Sequence, residues 1–325
     1  MKKAVLIFTL LSTLYIQANK ELPESNDLSQ LFNTSILRTS GKVQEILLSH
    51  GFKKVCFKTK DDFKICGLFL DQSKKMKIKG TILYCAGFYP GTKEGMTSFF
   101  ALLADQPFNF LFFDARGHQE SDGKLLSYQN IKQYGSSEYQ DIIATIDFLH
   151  TYNTEHKLSQ DIIIHGICSG AFHCMKAIDH LAKTNCAQCN NIKGIIFDSG
   201  WLKLSDIVEP TLCAEVKHRF KNTYFSWLIK PTCWITEQFY RLVFKSHHLK
   251  LDSIEKSIQN ISCPIFFIHC TRDPYVPVKP VQEIAQQVKY PHSWWIEHES
   301  HGTYHLKEQQ EFKKKLQDFL NTVAE

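Results

Sequence analysis

Short, almost wholly apolar runs alternate along most of the chain with longer stretches whose apolar positions recur every three or four residues. Residues 52–70 alternate apolar and polar positions about Asp61-Asp62, which predicts a β-hairpin. Thr81 to Cys85 then reads as a buried strand, Gly87 to Gly95 as a Gly/Pro loop, and Met96, Phe99, Phe100 and Leu103 as one face of a helix. Phe108 to Phe113 is a second apolar strand, and Tyr139, Ile142, Ile143, Ile146 and Leu149 mark the next helix. Asp161 to His165 predicts a third strand, followed by a turn and a helix from about Ser169. Ile195 to Phe197, Ile265 to His269 and Trp294 to Ile296 supply three more strands. Val281, Ile284, Ala285 and Val288 form a late helical face, and Phe312, Leu316, Phe319 and Val323 another. Strands that are apolar at every position are buried on both sides. Alternating with helices, they predict an α/β protein with a mainly parallel, doubly wound sheet and helices on both faces.

One segment interrupts the alternation. Residues 201–262 carry no clear strand but are rich in aromatics, among them Phe220, Tyr224, Phe225, Trp227, Trp234 and Phe239. They are expected to form a helical insertion over one edge of the sheet. It either binds an acyl chain or simply packs, since aromatic stripes at helical spacing do both. The core is thus expected in two pieces, 51–200 and 263–325, after a leader at 19–50.

Composition changes this picture little. With 325 residues, 43% hydrophobic and 22% charged, the chain is an ordinary globular protein that can bury a full core. The formal net charge of +5 is spread along the sequence, and no nucleic-acid partner is expected. The N-terminus matters more. Lys2 and Lys3 precede an apolar run from Ala4 to Ile16, and Ala18 follows as a small residue, the layout of a secretory signal peptide over residues 1–18. The run is shorter than the ~20 residues that span a bilayer. A secreted or periplasmic location is therefore expected, with membrane association only if this segment stays uncleaved. Ile16 is bulky for the position three before the cut, which leaves the cleavage site open.

Export would allow disulfides among the eleven cysteines, with at least one thiol left over. Cys85 and Cys270 lie in or at the ends of apolar strands, where a free thiol packs as a small hydrophobe. Cys186 and Cys189 form a C-x-x-C pair with no second pair at zinc spacing, so a loop thiol pair or local disulfide is expected there. Asn33-Thr-Ser and Asn260-Ile-Ser are glycosylation-type triplets. His247-His248 is read as solvent-facing. No cofactor and no metal is called for.

The segment that carries chemistry is Asp161-Ile-Ile-Ile-His-Gly-Ile-Cys-Ser-Gly-Ala171. A buried strand enters Gly166-Ile167-Cys168-Ser169-Gly170 and a helix leaves it, giving the form G-x-nucleophile-x-G. Such a turn holds its central residue in a strained conformation at the carboxyl end of the sheet. The flanking Gly166 and Gly170 are needed because a side chain at either would collide across the turn. The start of the helix directs N–H groups at the same point.

From residue 52 onward the sequence resembles the α/β-hydrolases, with 201–262 in the place of that family's variable cap. Asp114-Ala-Arg-Gly-His-Gln-Glu-Ser-Asp122 resembles the family's D-x-R-G-x-G-x-S segment. Cys85-Ala-Gly-Phe-Tyr-Pro-Gly91 stands where the HG loop would follow the third strand. Ile268-His-Cys-Thr-Arg-Asp-Pro-Tyr-Val-Pro277 is similar to the segment carrying the acid, and Glu299-Ser-His-Gly302 to the loop carrying the histidine. The central residue is cysteine where most members have serine, as in dienelactone hydrolase. The resemblance is strongest to small-cap esterases and acyl hydrolases.

This resemblance implies a Cys168–His301–Asp273 triad, in the family's chain order of nucleophile, acid and base. It implies an oxyanion hole from the backbone N–H groups of Ser169 and Phe88. The expected reaction is cleavage of a carboxylic ester or thioester of a small-molecule or lipid-like acyl substrate through a covalent acyl-enzyme. Two other readings stay open: a peptidase on the same scaffold, and a binding protein in which Cys168 is inert. His298 and His305 compete with His301 for the role of base, and Gly302 favours His301. Arg116 and Asp114 are expected to fix a loop, and His165 to be a strand-end residue.

Overall fold

A computed structural model describes residues 40–88, 96–123, 137–203, 253–259, 261–298, 300–302 and 304–324, with isolated positions between 206 and 238. In chain order its main elements are α1 (Ser40–Ser49), β1 (Lys53–Lys58), β2 (Lys64–Leu70), β3 (Gly80–Cys85), α2 (Thr97–Leu103) and β4 (Phe108–Phe113). Then come α3 (Tyr139–Glu155), β5 (Ile162–Ile167), α4 (Ser169–Lys183), β6 (Ile192–Asp198), α5 (Glu255–Gln259), β7 (Ile265–Cys270), α6 (Val278–Ala285), β8 (Pro291–Ile296) and α7 (Gln309–Val323).

All eight strands join one sheet in the order β1-β2-β4-β3-β5-β6-β7-β8. β1 and β2 pair antiparallel, as do β2 and β4, and every other neighbouring pair is parallel. The two-residue period of a strand sends alternate side chains to opposite faces, and both faces are covered. In β3, Leu83 and Cys85 pack with α3 and α4 through Ile142, Ile146, Phe172 and Ile178. Ile82 and Tyr84 face the other way, against Val43 and Leu47 of α1, Phe99 and Phe100 of α2, and Phe312 and Leu316 of α7. β3 and β4 are buried at every position, which is why they read as mainly apolar runs, with Thr81 and Asn109 the polar exceptions.

The hairpin turns where the sequence puts it: β1 and β2 pair around Asp62, whose φ is 67°. Cys56 and Cys66 face each other across it and form a disulfide. Three strands extend by two or more residues beyond their sequence-predicted bounds. β5 runs on to Ile167, because the apolar pattern gives no sign of where the turn begins. β6 starts at Ile192, across Lys193 and Gly194, which interrupt its apolar run. β8 starts at Pro291, and its exposed Pro291 and Ser293 mark it as the half-solvated edge strand.

The core also reaches past the boundaries drawn at 51 and 263. α1 contributes Val43, Ile46 and Leu47, and Ile254, Ile258 and Ile261 pack beside α4. A bridge between Lys203 and Ser253 brings the two ends of the insertion together. Most of the insertion lies outside the described residues, as do the signal-like segment 1–18, Asn33, Asn260, Cys213, Cys233 and His247-His248. No helix among the described residues is long and apolar enough to cross a membrane.

Candidate active site

In a mainly parallel sheet the loops that follow the strands gather at one edge, where ligands of open α/β sheets bind. Cys168 follows β5, Asp273 follows β7 and His301 follows β8.

Cys168 caps the N-terminus of α4 with φ 55° and ψ −119°, a conformation that costs a non-glycine residue about 1–3 kcal/mol. The turn around it admits no side chains at its glycines. A Cβ on Gly166 would lie 2.6 Å from the Ala171 Cα, and one on Gly170 would overlap the Cys85 carbonyl oxygen. Cys168 N–H donates to the Asp198 carbonyl at 2.8 Å, which ties the turn to the end of β6.

Asp273 is fully buried and presents both carboxylate oxygens to donors. Oδ1 accepts the backbone N–H groups of Tyr275 and Val276 at 2.8 and 3.0 Å. Oδ2 accepts His301 Nδ1 at 2.7 Å. With Nδ1 committed to the carboxylate, Nε2 is the ring nitrogen left for sulfur, and Cys168 is near enough for its charge to act on the ring. Burial works against the charged ring. The negative charge of Cys168, with the hydrogen bond and charge of Asp273, outweighs it and holds His301 well above the usual histidine range. The three side chains expected to form the triad are thus in one place. Gly302, at φ 63°, packs its backbone against Ile167, so the histidine loop sits directly on the strand that ends in the elbow.

The residues assigned to the oxyanion hole flank the sulfur. Ser169 is the first residue of α4. A Cβ on Gly87 would lie 3.5 Å from Cys168 Sγ, which puts the loop carrying Phe88 against the thiol from the other side. Phe88 is fixed by His118, whose Nε2 donates to its carbonyl at 3.0 Å and whose ring packs edge-on against the Phe88 ring. That role of His118 was not legible in sequence. The only sign of it was a histidine in the loop after β4.

The competing residues separate clearly. His305 is buried and bonded to Ser98 Oγ at 2.8 Å, and burial pulls its pKa down to about 4. His298 lies beside Lys307 Nζ at 3.2 Å. His165 was expected at the strand end but lies inside β5, which runs on to Ile167, and its Nε2 is 3.3 Å from Asp198 Oδ2. Arg116 is held by Asp141 and Asp61, so it does fix its loop. Among the other cysteines, Cys85 is a buried free thiol, and burial, with the neighbouring free thiol of Cys174, holds it well above the usual range. Burial likewise pushes Cys263 up to about 12. Cys186 is a free thiol donating to Gln188 at 2.9 Å, and Cys189 is also unpaired. No group of three or more His, Cys, Asp or Glu side chains suited to a metal ion occurs among the described residues.

Sequence reasoning also missed the buried polar layer beneath the site. Asp198, Ser199, Tyr304, His269 and Cys270 lie there, and only the Asp-Ser-Gly after an apolar run hinted at it.

No family model matches the chain. It is 24% identical over 246 residues to the uncharacterized protein YqkD of Bacillus subtilis, covering 75% of this chain and 72% of that one. Among solved structures it is similar to an esterase of Pyrococcus furiosus, with a TM-score of 0.63 and 22% identity over 86% of this chain and 93% of the other. An esterase of a Rhodococcus species superposes with a TM-score of 0.56 at 13% identity, covering 83% and 99% of the two chains. The proline iminopeptidase of Mycobacterium smegmatis superposes at 0.58 and 13% identity, covering 84% and 99%. The chain has the α/β-hydrolase fold.

Proposed function

We propose that the protein is a hydrolase of carboxylic esters or thioesters that works through a cysteine acyl-enzyme. The observation that carries this reading is the meeting of a strained, helix-capping Cys168 with an imidazole oriented by a buried carboxylate. Esterases among the similar folds support the substrate class.

Cys168 gives its proton to His301 Nε2, its sulfur attacks the acyl carbonyl carbon, and the C=O π pair moves onto oxygen. The N–H groups of Ser169 and Phe88 stabilise that oxyanion, commonly the largest single contribution in acyl transfer. Collapse expels the alcohol or thiol, which takes its proton from His301 Nε2, and leaves an acyl group on sulfur. Water then attacks the thioester carbonyl, gives a proton to His301 Nε2, and sulfur departs with the electron pair of its bond to carbon. Asp273 holds the ring with Nδ1–H inward throughout and stabilises the imidazolium. The partner is a small-molecule or lipid-like acyl substrate. The signal-like N-terminus and the Cys56–Cys66 disulfide together support export to an oxidising compartment.

The iminopeptidase among the similar folds keeps an amide substrate as the second reading. A panel of p-nitrophenyl esters of rising acyl length, run against aminoacyl p-nitroanilides, separates the two. Ester turnover that Cys168→Ala lowers by about 10⁴-fold is the expected result. Turnover of the anilides alone would favour the peptidase. Turnover of neither, or turnover unchanged in Cys168→Ala, contradicts the proposal.

A further inference from the structure

Asp198 ends β6 with its side chain fully buried, on the face of the sheet that carries α2 and α7. A carboxylate in that position is costly unless donors surround it. Oδ2 accepts the Tyr304 hydroxyl at 2.6 Å and lies 3.3 Å from His165 Nε2, while Oδ1 accepts the Ser199 hydroxyl at 2.9 Å. Its main-chain carbonyl accepts the Cys168 N–H at 2.8 Å. One residue therefore holds the nucleophile turn through its backbone and the segment just after His301 through its carboxylate.

Tyr304 is built for the second of these contacts. It is fully buried, packs edge-on against Trp294 and Phe312, and follows His301 by three positions. The histidine loop is otherwise tied to β7 by the His301–Asp273 bond and by Cys270 Sγ to Ser300 Oγ at 3.3 Å. Gly302 packs the loop on Ile167 of the strand before the elbow, and Asp198 adds a hydrogen bond from the loop to the end of β6, whose carbonyl holds the Cys168 N–H.

We infer that Asp198 and Tyr304 are positioning residues that set the placement of the His301 ring against the Cys168 sulfur. The inference rests on the roles given to Cys168 and His301 above. Neither Asp198 nor Tyr304 touches substrate; their effect passes through the histidine loop.

The test uses the full chain with Tyr304→Phe, which keeps the packed ring and removes the hydroxyl. The double variant Tyr304→Phe/Asp198→Asn also removes the buried charge that has lost its shortest hydrogen bond, so it should recover stability. Three quantities are measured: thermal midpoint, kcat and KM on a p-nitrophenyl ester, and the rate at which iodoacetamide alkylates Cys168, followed by peptide mapping. In Tyr304→Phe, kcat is expected to fall about tenfold with KM nearly unchanged, and Cys168 alkylation to slow in parallel. In the double variant the thermal midpoint is expected to return toward wild type while kcat stays low. Recovery of kcat together with the midpoint would reduce the pair to a structural role, and wild-type kcat and alkylation in Tyr304→Phe would overturn the inference outright. Because alkylation does not require ester turnover, a wild-type protein that hydrolyses no ester refutes the proposed function and leaves the alkylation comparison to decide this one. Should Tyr304→Phe fail to fold, the double variant alone decides by the same readings.

Discussion

The elbow and the histidine loop meet at one sulfur, yet they are held by different means. The elbow is fixed by backbone sterics: Cys168 at positive φ, and two glycines whose neighbours leave no space for a Cβ. The histidine loop is fixed by side chains, through Asp273, Cys270 to Ser300, and Asp198 to Tyr304. The contrast teaches where each can be damaged. A change in the elbow must act on folding, because the obstacle is main chain. A change in the loop's contacts should leave the fold and move the chemistry.

Short of removing the nucleophile, the largest effect is expected from Asp273→Asn, which attacks the contact that orients the His301 ring. It should lower kcat by about 10²–10³-fold, since the amide no longer holds the ring in one tautomer. It also removes two of the contributions that raise the His301 pKa, the hydrogen bond and the charge of Asp273. If the reactive form carries a protonated His301, activity is lost as pH rises through that pKa. The basic limb of the kcat/KM profile should therefore lie above the usual histidine range in wild type and move to lower pH in Asp273→Asn. An unmoved limb would detach His301 from the rate.

Next comes the elbow. Gly170→Ala drives a methyl into the Cys85 carbonyl and should cost more than about 3 kcal/mol in a denaturant melt, or give no folded protein. The smallest effect belongs to Gly302→Ala. Its methyl meets only the end of the flexible Ile167 side chain, although φ at 63° still disfavours alanine. A loss of about 1–2 kcal/mol is expected, with a modest fall in kcat. Equal losses at the two glycines would erase the contrast between a backbone obstacle and a side-chain one.

The same contrast explains what was legible in the sequence. The elbow is read from spacing, because a steric requirement such as Gly166-x-Cys168-x-Gly170 leaves a local signature, whereas Asp273 and His301 came from the resemblance of their segments to the family's. The strands were visible because burial on both faces demands apolar residues at most positions, as in Phe108–Phe113, where Asn109 is the one polar residue. The boundaries at 51 and 263 were not. Val43 and Ile258 join the core by packing across the fold, and a short helix with one buried face resembles a linker. Tyr304 and Asp198 are 106 positions apart, so no local pattern announces their bond. His118 and Phe88 are hidden for the same reason.

The central claim is that Cys168 carries the acyl group. Rapid quench of the enzyme with a p-nitrophenyl ester, followed by intact mass and peptide mapping, tests it most directly. A burst of one p-nitrophenol per chain is predicted, with the acyl mass on the peptide containing Cys168 and its decay matching steady-state turnover. An acyl group found on another residue, or turnover with no adduct and no burst even when deacylation is slowed, would contradict the account.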